Sequence, residues 1–104
     1  MNELRGSKFS KAEQRRAFNV LVEAARVKVR CPTNDYFSHG AVAALAHAGW
    51  IRIYVYARNW RVVEIITGPH AGARTAPPPR AYICYKIIDA TGPPRRPTAE
   101  DLAA

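Results

Sequence analysis

Arg52, Tyr54, Tyr56, Arg58, Trp60 and Arg61 place guanidinium groups and aromatic rings within ten residues of one another. These residue types grip phosphates and stack on sugars or bases. Arg74 adds a further cation downstream, beside His70 and Arg80 in a loop that can touch phosphate. Of the 16 basic residues, 12 are arginine, whose planar fork suits phosphates and guanine edges better than an ammonium does. The chemistry these residues point to is polyanion binding, with double-stranded DNA as the first partner.

Catalysis and metal binding find less support. Asp35 and His39 stand four residues apart, a spacing from which a carboxylate and an imidazole could share a proton. However, an acid directly after Thr33-Asn34 is accounted for by the favourable field of a helix N-terminus. No nucleophile lies near it in sequence, so the chain is read as a non-enzyme. Cys31, His39 and His47 lack the close paired spacing of zinc ligands. Gly68 and Gly72 are not followed by the Lys-Ser/Thr of a phosphate loop. No cofactor is expected.

The elements that must position the basic residues follow from periodicity. Residues 1–9 read as a flexible basic arm, with Arg5 and Lys8 as candidate backbone contacts along with Lys11. Ser10-Lys11-Ala12-Glu13 has the spacing of a capping box, and Phe18, Leu21, Val22 and Ala25 then recur on one helical face. That long helix is expected to end by Arg30, ahead of Pro32. A short second helical region should start at Thr33-Asn34-Asp35 and close at Gly49. Val42 and Leu45 are expected to face the core, with Asp35, His39, Ala43 and His47 on the opposite stripe.

From Ile51 the period changes to two, with Ile51, Ile53 and Val55 alternating with Arg52, Tyr54 and Tyr56. Arg58-Asn59 is read as a two-residue turn that pairs Tyr56 with Arg61 and Tyr54 with Val63. Tyr54 and Tyr56 either offer their faces to a ligand or pack against a third strand. Trp50 is expected in the core, and Trp60, at a hairpin tip, is expected to be a contact residue. Residues 82–88 have the makeup of a third strand that can extend the hairpin. The domain spans 10–92, and residues 93–104 read as a flexible tail with at most one helical turn capped by Thr98.

Three segments carry a resemblance to a family. Cys31-Pro32-Thr33-Asn34-Asp35 precedes a helix, Ala43 to Ile53 (AALAHAGWIRI) forms a helix-to-strand junction, and Arg61-Val62-Val63-Glu64-Ile65 returns as a strand. Over roughly Ser10 to Thr67 the chain resembles small bacterial or phage winged helix-turn-helix DNA-binding proteins. The resemblance implies an α+β, winged-helix-like fold with the hairpin as wing, and a role in transcriptional or phage regulation. It implies Ser38, His39 and His47 as the polar groups of the helical face toward DNA. The chain departs from the family in length, since only 17 residues run from Thr33 to Gly49, where two helices and a turn need about 25. Either the first of the pair is reduced to a turn around Asn34 to Ser38, or the two helices have merged.

Composition sets the outer limits. The chain has 104 residues, room for one domain and one modest core. Its 48% hydrophobic content is enough to build that core. A net charge of +8 predicts salt-sensitive attraction to polyanions. Two cysteines without a CxxC pair, and no apolar signal core, point to a reducing cytoplasm. No stretch is apolar enough to serve as a membrane anchor. Two alternatives remain open: a protein-interaction module on a degenerate winged helix, which could also self-associate as a homodimer, and a single-stranded nucleic-acid or RNA binder using the Arg/Tyr sheet face.

Overall fold

A computed structural model describes residues 10–32 and 39–102. The elements run α1 (Lys11–Val27), α2 (His39–His47), β1 (Ile51–Tyr56), β2 (Trp60–Ile65), β3 (Cys84–Ile88) and α3 (Ala99–Leu102). The fold is α+β, and the sheet is antiparallel in the order β2-β1-β3. The third strand therefore joins the hairpin on the β1 side. Ser38 and Asp35 lie outside the described residues.

Helix α1 begins where its cap chemistry requires. The Ser10 hydroxyl accepts from the Glu13 amide at 3.1 Å, and the Glu13 carboxylate accepts from the Ser10 amide at 3.1 Å. It stops at Val27, because Lys28 takes a left-handed conformation (φ 61°) and folds the chain back. Helix α2 ends at a left-handed Gly49 (φ 87°). There the Trp50 amide reaches back to the Leu45 carbonyl at 3.1 Å, closing the orphan carbonyls of the last turn.

Alternation sorts the sheet residues onto two faces. Ile51, Ile53, Val55, Val63 and Ile65 face the helices and join Ala17, Phe18, Leu21, Val42, Leu45 and Ala46 in one buried core. Phe18 meets Trp50 edge-to-face at 5.4 Å, so Trp50 supports the core as expected. Tyr54, Val62, Cys84 and Ile87 form a second cluster on the outer face, with Tyr56 and Trp60 against it.

The hairpin register differs from the expected one. The turn contains Ala57, Arg58 and Asn59, so Tyr56 pairs with Trp60 and Tyr54 with Val62. One extra turn residue exchanges the faces of β2 relative to β1. Arg61 now lies on the helix side opposite Val55, and Glu64 stands directly opposite Arg52 on the outer face. Further segments line both sheet edges. Arg74 bridges to Glu64 on one side, and Arg95 bridges to Ile87 on the other. The expected tail thus contains a bridge to β3 and the single turn α3, where the Thr98 hydroxyl accepts from the Asp101 amide at 3.3 Å.

Candidate nucleic-acid interface

The outer sheet face puts several of the expected contact residues into partnership with acids. Arg74 Nη2 lies 3.3 Å from Glu64, Arg52 Nη1 lies 3.6 Å from the same carboxylate, and Arg52 Nε lies 3.3 Å from Asp89. Asp89 is also 3.0 Å from Arg95, which holds Asp101 at 2.8 Å. Five backbone segments running side by side thus present Arg74, Glu64, Arg52, Asp89 and Arg95 as a ladder of alternating sign. Cross-strand opposite charges of this kind stabilise a sheet. They also cancel each other at a distance.

Tyr54 lies within this ladder and is 1% exposed. Its hydroxyl donates to Glu64 at 2.7 Å and accepts from Arg74 at 3.0 Å, while the Arg74 guanidinium stacks 4.6 Å from its ring. Burial and the bond to Glu64 both push its phenol pKa up. Of the two roles open to Tyr54, a face offered to a ligand is ruled out by this burial, and packing against the third strand is what the structure shows. It packs inward because β3 and the Arg74 segment flank the hairpin. Tyr56 is half-buried in the same cluster.

Trp60 is corrected in the same sense. Its indole N–H donates to the Ala76 carbonyl at 3.0 Å, and the Arg30 guanidinium lies 4.2 Å over its ring. The tip is not isolated, because the segment after Arg74 runs beside β2 and the Ala76 amide bonds to the Val29 carbonyl at 2.9 Å. That bond ties the exit of α1 to the hairpin.

Further cations lie along this tie and on the turn. Lys28 reaches the Arg74 carbonyl at 3.4 Å, Arg30 covers Trp60, and Arg58 is exposed on the turn. None of these three is paired with a carboxylate among the described residues. Arg61 is half-buried close by, and its guanidinium and that of Arg30 both act on the Cys31 thiol. Burial outweighs both and pushes that thiol up to about 11, so Cys31 is inert at neutral pH. Lys28 and Arg30 are not among the expected contacts, because a helix running toward Arg30 would place them in its last turn. The signal available was their alternation just ahead of Pro32, which fits an extended, exposed segment.

Of the remaining expected contacts, His47 is exposed on the last turn of α2, far along the chain from the hairpin turn. His39 opens α2. Residues Ala41, Val42, Leu45 and Ala46 of that helix are buried. Among the described residues no three His, Cys, Asp or Glu side chains converge as metal ligands, and no helix is long and apolar enough to cross a membrane. The outer side of α1 carries a shallow groove of about 520 Å³ lined by Val20, Ala24, Val27, Val29 and Pro32 between Arg16 and Glu23. No protein-family model, characterised protein or solved structure matches the chain.

Proposed function

We propose that this chain binds DNA through phosphate contacts made at the hairpin end, on a winged-helix-like scaffold, in a transcriptional or phage regulatory role. One observation supports this reading above the others: the arginines of the outer sheet face are matched by acids, while those beside the hairpin turn are not. Arg52, Arg74 and Arg95 are matched by Glu64, Asp89 and Asp101, whereas Lys28, Arg30 and Arg58 meet no acid among the described residues, and Arg30 lies over Trp60 beside the turn that carries Arg58. A concentrated field of one sign is what steers a polyanion. Helix α2 packs its apolar side against α1 and the sheet. It offers no run of Arg, Asn or Gln for reading base edges. Backbone contacts therefore dominate the proposed mode, and affinity should depend on salt more than on sequence.

Titrating labelled protein with a duplex and following backbone amides by NMR tests the placement. Shifts are expected at Lys28 to Arg30 and Ala57 to Arg61, with little change at Glu64 and Asp89. Shifts confined to α2 would refute it. The α1 groove, with Val27 45% and Val29 50% exposed, favours a second reading in which a partner protein seats there and binding survives high salt.

A further inference from the structure

The start of β3 carries exposed large apolar side chains near the hairpin turn: Ile83, just ahead of the strand, is 75% exposed and Tyr85, within it, 47%. Their position follows from an irregularity. The β1–β3 register shifts between Val55 and Tyr56, so that Lys86 lies opposite Val55 and Cys84 opposite Tyr56. Tyr85 is left without an opposite residue. Such a bulge re-aims the side chain of the extra residue, and here the result is a tyrosine turned out while Cys84 beside it is buried. The Ile83 carbonyl accepts from the Ala57 amide at 2.8 Å, which fixes this strip against the turn that carries Arg58. Arg80, exposed, and Lys86, half-buried, flank it in sequence, and neither has a carboxylate partner among the described residues.

An exposed aromatic ring with cations next to it along the chain, and no acid paired to them among the described residues, matches a nucleobase and its phosphates: the ring supplies a stacking face and the cations hold the strand. We propose that Ile83 and Tyr85, with Arg80 and Lys86, form a stacking platform for unpaired bases, so that the partner is a nucleic acid carrying a single strand beside a duplex. The proposal rests on the DNA-binding reading above, because Arg58 then borders both the duplex contact and the platform. It replaces Tyr54 and Tyr56 as the aromatic contacts with residues on a different strand.

The test compares a blunt duplex, the same duplex with a short tail of deoxyribonucleotides or ribonucleotides, and the tail strand alone. Binding is followed by anisotropy, with 2-aminopurine in the tail reporting stacking. The wild-type chain is expected to bind a tailed duplex roughly tenfold more tightly than the blunt one and to quench the 2-aminopurine. Tyr85→Ala should remove most of that gain and the quenching, and Tyr85→Phe should retain both, with the fold of each variant checked by its cooperative thermal unfolding. The sugar of the better-bound tail identifies the source as DNA or RNA. Equal affinity for blunt and tailed duplexes, or equal weakening of both by Tyr85→Ala, would overturn the platform while leaving duplex binding intact. Binding of the tail strand alone, abolished by Tyr85→Ala, with no binding of the blunt duplex, would uphold the platform and overturn the duplex reading. No binding of any of the three would overturn both.

Discussion

At Asp89, burial acts to raise the carboxyl pKa, but the Thr91 hydroxyl and amide and the Arg95 guanidinium outweigh it and hold the group down at about 2. Asp101, bonded to Arg95 and the Thr98 amide, is held well below the usual carboxylate range as well. A carboxylate whose folded pKa lies below its unfolded value of about 3.9 stabilises the fold above that pH and loses the contribution as pH falls toward the folded value. For Asp89, 5% exposed, the contribution is on the order of 2 kcal/mol at neutral pH, lost between about pH 4 and pH 2. Asp89→Asn is therefore expected to lower urea-denaturation stability by about 2 kcal/mol at pH 7, with the gap from wild type closing near pH 2. An equal gap at both pH values would mean that Asp89 acts through packing. The same residues explain why Arg52 is a poor candidate for phosphate: the buried Arg52 Nε makes no aligned hydrogen bond, and its charge is already met by Glu64 and Asp89.

The hairpin turn holds Arg58 (φ 62°) and Asn59 (φ 60°) in the left-handed region. Asn tolerates this conformation, whereas a long side chain such as Arg is disfavoured there by about 1 kcal/mol. An arginine kept at an exposed strained position suggests a role other than stability. Arg58→Gly is expected to leave thermal stability unchanged or raise it by up to about 1 kcal/mol. The same change should weaken duplex binding and reduce its salt slope by about 1. A destabilised Arg58→Gly with unchanged binding would assign Arg58 to the fold alone. The helices and strands themselves were legible, because Ser10-x-x-Glu13, the Phe18/Leu21/Ala25 spacing, Gly49 and the alternation from Ile51 are local signals. The register was not legible, since nothing in Ala57-Arg58-Asn59 marks a turn of three residues over one of two. That one residue decided whether Arg52 would face Glu64.

Over the whole molecule, a charge of +8 says how much field there is but not where it lies. The ladder draws on positions 52, 64, 74, 89, 95 and 101, which share no local spacing, so its cancellation of three arginines emerges only when five segments lie side by side. For the same reason Arg30 reaches the turn of Arg58 through the Ala76–Val29 bond and the Trp60 stack rather than through any motif. The most direct check on this sorting is an anisotropy titration of duplex DNA across a salt series with three proteins: wild type, Lys28→Gln/Arg30→Gln/Arg58→Gln, and Arg74→Gln. Each phosphate contact contributes about 0.9 to the slope of log affinity against log salt. The triple variant is expected to lose about 2 to 3 of that slope, and Arg74→Gln to keep the wild-type slope even as its Tm falls. A triple variant with the wild-type slope, or a wild type that ignores salt, would contradict the assignment of DNA binding to the hairpin end.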